Sequence, residues 1–348
     1  MRASATLSAT VAVLATVLAP AVTSAAQYTV TTVDYPGFAG YTMVNGINDA
    51  GRVVGDFSIP GTQLTYGFSR SGAPFSLLPS VPCTTPVCET TPLAINARGD
   101  VAGEFSNNVA HRQVFLIHAG VLQLIAIPST SQLALFGGLN ERGDVAGYFQ
   151  TNRGPIHMFT YSKSVFTDIP VPSDFVDVTA TGINNGGDIT GAYDDARGLH
   201  GFIDKKGRFT RFDFPGGINT RPEAINEPGD IVGSYATGPG GTVLHGFLLS
   251  HGKFASVDFP GGVNTMPSVI SNDRTITGMY QSPQLAAPFN TRAFVLQKGS
   301  YVSLPLPGAA MTVSGMNASG AIVGSYFDPS CPVNCRVHGF LATPAGKK

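Results

Sequence analysis

One pattern recurs seven times along this chain: a small residue, an aliphatic residue, Asn, two variable residues, Gly, a polar residue, two mostly apolar residues, and Gly. The copies run Gly46-Ile47-Asn48 to Gly55, Ala94-Ile95-Asn96 to Gly103, Gly138-Leu139-Asn140 to Gly147, and Gly182-Ile183-Asn184 to Gly191. They continue as Ala224-Ile225-Asn226 to Gly233, Val269-Ile270-Ser271 to Gly278, and Gly315-Met316-Asn317 to Gly324. Asn48 and Asn317 are 269 residues apart over six steps, about 45 residues per unit. A period of this size restricts a chain to solenoids, propellers and arrays, because each unit buries its apolar face only against its neighbours.

Within each unit, period-2 apolar positions, turn residues and β-branched or aromatic enrichment predict four short strands, a to d. In the fifth unit strand a ends at Asn226, b covers Asp230 to Tyr235, c covers Leu244 to Ser250, and d covers Lys253 to Phe259. Two residues beyond each closing Gly stands an aromatic: Phe57, Phe105, Phe149, Tyr193, Tyr235, Tyr280 and Tyr326. Strand c carries a Phe in every unit: Phe68, Phe115, Phe159, Phe202, Phe247, Phe294 and Phe340. Four strands per unit, repeated seven times, predict an all-β, seven-bladed β-propeller; a β-solenoid fits less well, since its coils are shorter and need not close. The Asn-x-x-Gly segment reads as a tight a–b turn, with the Asn side chain bonding local backbone and Gly taking positive φ.

The last unit stops after strand c, His338 to Leu341, and lacks a strand d. Residues Tyr28 to Gly37 match Lys253 to Gly261, so the N-terminal strand is expected to complete the seventh blade and remove an open sheet edge. His stands two residues before the strand-c Phe in four units, as His157, His200, His245 and His338. The same four have Asp two residues before the strand-d Pro, namely Asp168, Asp213, Asp258 and, from the N-terminus, Asp34. Chance placement would coincide about one time in 35, and hairpin register sets His245 opposite Asp258 and His200 opposite Asp213, so each pair predicts a contact. A His facing an Asp also admits a catalytic or metal reading, but four copies on outer strands would spread around the rim instead of converging.

Ahead of the repeats, Arg2 precedes an Ala/Val/Leu-rich run ending in Ser24-Ala25-Ala26, which reads as a secretory signal peptide over 1–26, with the single propeller domain over 27–348. An uncleaved anchor is the alternative, and no later apolar stretch is long enough to span a bilayer. Cleavage leaves 20 Lys and Arg against 22 Asp and Glu, so no basic field exists to hold a nucleic acid or an anionic membrane. Export makes disulfides possible, and the cysteines fall in two close pairs, Cys83 with Cys88 and Cys331 with Cys335. Local bridges are the simplest assignment, with zinc as the competing one.

The His-Gly-Phe segments at 200–202, 245–247 and 338–340, His-Met-Phe at 157–159, and the preceding Gly-Ile-Asn to Val-Gly stretches resemble the HAF-type extracellular repeat. The resemblance covers essentially all of the chain after the leader. It implies an exported repeat protein with a propeller fold, and it brings no defined reaction and no catalytic residues.

What every unit shares builds blades, so function is expected in what differs between them. The distance from the strand-b Gly to the strand-c Phe varies from 11 residues (Gly191 to Phe202) to 16 (Gly278 to Phe294), and the longest d–a connection holds Cys83 and Cys88. In a meander the b–c and d–a loops emerge on one side, which is therefore the expected binding face. Its candidate ligand-binding residues are Tyr41, Asp177, Asp194, Asp195, Arg221, Glu223, Arg292 and Arg336, with Arg221 and Glu223 bordering the central channel. Asp194-Asp195 alone is thin support for Ca²⁺, and the chain shows no Gly-x-Ser-x-Gly elbow, His-Glu-x-x-His, phosphate loop or dinucleotide fingerprint. No catalytic residue, metal or cofactor is assigned. The expected role is a monomeric, exported binding scaffold for an extracellular glycan or protein. A glycan lyase or hydrolase at the channel mouth and a structural envelope component are the alternatives.

Overall fold

The computed structural model describes residues 22–23, 28–37, 40–82, 87–108, 111–127, 131–151, 154–328, 330 and 336–346. Among these, all regular structure is β-strand. Each sequence unit folds as an antiparallel meander. In the fifth unit, Ile218–Ile225, Ile231–Thr237, Val243–Ser250 and Lys253–Ser256 pair in that order. Strand d is thus shorter than the sequence predicts. Beyond Ser256, Val257 still donates its N–H to the Gly246 carbonyl, but the Gly246 N–H is taken by the Asp258 side chain, and the ladder ends there.

The a–b turn has the expected chemistry. Asn226 Oδ1 accepts the Asp230 N–H at 2.8 Å, the Gly229 N–H reaches the Asn226 carbonyl, and Gly229 sits at φ +85°. The Asn side chain does more than close its own turn. Its Nδ2 donates to the carbonyl of the equivalent residue one unit on: Asn48 to Asn96, Asn96 to Asn140, Asn140 to Asn184, Asn184 to Asn226, and Asn226 to Ser271. Asn317 donates to Asn48 across 269 residues of chain at 3.0 Å. These buried carboxamides explain why the motif requires Asn, since an Asp there would supply no donor.

The apolar core is equally periodic. All seven strand-c phenylalanines are fully buried, and the seven strand-b aromatics that follow the closing Gly are buried. Aromatics beyond the ends of the outer strands stack on the strand-b aromatics: Tyr35 on Phe57, Phe175 on Tyr193, Phe214 on Tyr235, and Phe259 on Tyr280, with ring centroids 3.7–3.8 Å apart. Gly at the strand-b position is obligatory, because a Cβ on Gly191 would stand 2.0 Å from the Thr179 carbonyl oxygen and 2.7 Å from the Phe202 ring.

The chain ends meet. Tyr28–Val33 pairs antiparallel with Gly339–Pro344, outermost in a sheet whose inner strands are Ala309–Met316 and Ile322–Phe327. Val33 packs with Val44, Phe68 and Val323, so the first and last units share one buried cluster. Upstream of the expected cleavage point, Val22–Thr23 runs parallel to Tyr301–Val302.

Candidate functional site

The strands of each meander end on two sides, and the residues chosen from loop length lie on one of them without forming one site. Arg221 and Glu223 do meet, at 2.8 Å, with burial raising the Glu223 pKa and the guanidinium offsetting part of that rise. Tyr41 also lines a cavity. The others make local contacts. Asp195 Oδ1 accepts from His200 Nε2 at 3.0 Å and from the Arg197 N–H. The Asp194 N–H donates to the Asp177 carbonyl and the Asp194 carbonyl accepts from the Val176 N–H. Arg292 folds back onto the carbonyls of Phe289 and Thr291. Arg336 donates to the Gly40 carbonyl, 3.2 Å away, and lies 3.9 Å from Asp34. Of the cysteines, only Cys88 lies within the described residues, on Val87–Ile95.

The four His–Asp pairs stand far apart along the chain, each as a local clamp. His157 reaches Asp168 at 2.9 Å, His200 reaches Asp213 at 2.9 Å, His245 reaches Asp258 at 3.1 Å, and His338 reaches Asp34 at 2.8 Å. Each imidazole lies 5.2–5.3 Å from the strand-b aromatic of its own unit, Phe149, Tyr193, Tyr235 or Tyr326.

The groups that do converge come from a position loop length does not reveal, the residue directly after the strand-b Gly. It is Asp56, Glu104 and Tyr148 in the first three units and uncharged in the others. Asp56 is only 2% exposed, receives 2.7 Å from Asn45 Nδ2, and is pushed up to about 7 by burial, the Asn45 and Tyr41 bonds resisting. Tyr41, driven to about 12 by burial and by Asp56, exchanges a hydrogen bond of 3.0 Å with Thr65. Beside them, Arg112 bridges two carboxylates, 3.1 Å from Glu104 and 3.9 Å from Glu89. Glu104 also accepts the Phe136 N–H at 2.9 Å; burial still raises its pKa, with Glu89 adding to the rise. Tyr148 is raised by burial and feels the charges of Glu104, Arg221 and Arg112, which links this cluster to the Arg221–Glu223 pair.

Tyr41, Thr65, Glu89 and Arg112 line a cleft of about 450 Å³ floored by hydroxyl-bearing Ser58, Thr62 and Ser106. A larger cavity, about 880 Å³, lies at the a–b turns, lined by Asn140, Asn226, Asn317 and the residues after them, Glu141, Glu227 and Ala318. The larger of these two cavities is therefore on the side with uniform turns, opposite the one loop length favours.

No protein-family model matches the chain, and no curated protein matches it in sequence. Its likeness is to solved structures. A prolyl endopeptidase superposes with a TM-score of 0.59 at 10% identity, over 92% of this chain and 51% of its own. The β-propeller domain of the trilobed protease from Pyrococcus furiosus gives 0.59 at 8% identity, over 89% and 95%. A fungal alcohol oxidase in complex with copper gives 0.52 at 12% identity, over 90% and 76%. The fold is a β-propeller. This chain spans about half the length of the prolyl endopeptidase, and identities this low carry the fold and no chemistry. Each four-stranded meander is accordingly a blade, strand a is innermost, and the cleft holding Tyr41 and Arg112 lies between the first two blades.

Proposed function

We propose that the chain is an exported HAF-type repeat protein, a seven-bladed propeller whose N-terminal strand closes the ring, stapled by local Cys83–Cys88 and Cys331–Cys335 bridges. The hydrogen bond from Asn317 to Asn48 and the pairing of Tyr28–Val33 with the last strand support closure. The leader at 1–26 supports export.

The ring acts as a monomeric binding scaffold for an extracellular glycan or protein. One observation carries this reading: Tyr41, Glu89 and Arg112 line a polar cleft beside a buried Asp56 whose ionisation the fold disfavours. A concave site with a few convergent polar groups and a perturbed carboxyl is the usual form of a binding site. A thermal-shift screen of the purified protein against neutral, amino and acidic oligosaccharides tests it. A ligand that raises Tm in the wild type and not in Arg112→Ala or Tyr41→Phe supports the cleft. A ligand response unaffected by both substitutions moves the site elsewhere.

The Asp56–Tyr41 contact also favours a second reading, a glycan lyase or hydrolase. A carboxyl near 7 is poised for proton transfer at neutral pH, and Tyr41 leads from it to the cleft. Turnover of a binding oligosaccharide that disappears in Asp56→Asn while binding survives would establish it.

A further inference from the structure

A second cavity departs from the repeat in another way. It lies between the third and fourth blades, holds about 480 Å³, and is walled by Ile169, Pro170, Ile183 and Ile189 and by the turn at Lys206-Gly207. Asp204 lines it. Two residues after the strand-c Phe, the other units place Arg70, Ile117, Tyr161, Leu249, Leu296 and Ala342, so the fold mostly fills this position with an apolar side chain. Asp204 is 1% exposed, and neither of its oxygens has a partner in hydrogen-bonding geometry. Burial raises its pKa, Asp188 adds to the rise, and only the Gly207 amide resists. Among the neighbouring charges, Arg142 is held by Asp144 at 3.2 Å, Lys205 by Asp188 at 2.8 Å and Asp168 by His157, while Lys206 lines the cavity from an exposed turn position.

An unpaired buried carboxylate destabilises a fold, and retaining one where an aliphatic residue would pack is a loss unless something outside the chain completes it. Of the three acids lining the cavity, Asp144 and Asp168 already have partners, so the apolar walls beside Asp204 define what that is. We propose that this cavity binds a small organic cation, a protonated amine on a compact apolar body, with Asp204 as its counter-ion. The apolar part covers Ile169, Pro170 and Ile189, and the ammonium supplies the donors that Asp204 lacks. The site is independent of the Tyr41–Arg112 cleft, which lies between different blades.

The test is a thermal-shift titration of the purified protein at pH 8 with cyclohexylmethylamine and, as its neutral counterpart, cyclohexylmethanol. The amine should raise Tm by about 2 °C at tenfold excess over its Kd, the alcohol should do far less, and Asp204→Asn should lose the amine response. Asp204→Ile should melt higher than the wild type without ligand. An equal response to both probes, no response in the wild type, or an amine response kept by Asp204→Asn would overturn the proposal. So would a lower Tm for Asp204→Ile, which would make the carboxylate a cap for the Gly207 turn.

Discussion

Replacing Asp56 by Asn should stabilise this protein, and by an amount that depends on pH. The carboxyl is held at about 7 in the fold against an ordinary value of 3.8. A raised carboxyl works against folding as pH rises: below the ordinary value both states are protonated, between the two values only the unfolded chain ionises, and above about 7 the cost is constant. At about 1.36 kcal/mol per unit, the full cost at pH 8 is about 4 kcal/mol, and at pH 5 about 1.5 kcal/mol. Asn removes this cost while keeping the local bonds, because its Oδ1 can accept from Asn45 Nδ2 and its Nδ2 can donate to the Tyr41 hydroxyl. With about 2.1 cal/mol/K of unfolding entropy per residue, Asp56→Asn should raise Tm by about 6 °C at pH 8 and about 2 °C at pH 5. Differential scanning calorimetry of both proteins across pH 5 to 8 measures this directly. A lower Tm for the variant at pH 8, or a difference that stays flat with pH, would refute the electrostatic account of this site.

Three further outcomes are expected. Deleting residues 28–37 strips the strand paired to Gly339–Pro344, exposes the surface under Val33 and removes the Tyr35 stack, so chemical denaturation should show a loss of about 3–5 kcal/mol. Ser271 is the ladder position without a carboxamide, and Ser271→Asn should gain about 1 kcal/mol by donating to the Asn317 carbonyl, read as a higher urea midpoint. Non-reducing peptide mapping of the exported protein should recover Cys83 linked to Cys88 and Cys331 linked to Cys335; four free thiols would reject both bridges.

The blades were legible because repetition samples each structural requirement seven times. A glycine whose Cβ would strike a carbonyl, a phenylalanine with no exposed surface and an asparagine that must donate forward all leave the same letter at the same spacing. Even the N-terminal strand announced itself, through Tyr28 to Gly37 matching Lys253 to Gly261. The site was less legible because loop length reports where backbone is free to vary, not where side chains converge. Arg292 and Asp195 sit at strand ends beside variable loops and make their bonds locally. Glu89 and Tyr41, 48 residues apart, meet at one cleft only because consecutive blades turn about a common axis, and single-unit patterns carry no trace of that.

A stricter comparison of the units does carry a trace. Asp56 and Asp204 are both buried acids at positions where most units have uncharged residues, and both have pKa values raised by burial. Exposed charges vary between units at little energetic cost, so their variation says little. A buried carboxylate in one or two units of seven is different, because its other counterparts show that the architecture does without it. Function in a repeat fold is therefore best sought where a unit departs from its neighbours at a cost to its own stability, and in this propeller that criterion selects the strand-b acid beside Tyr41 and the strand-c acid beside Gly207 over every charge on the variable loops.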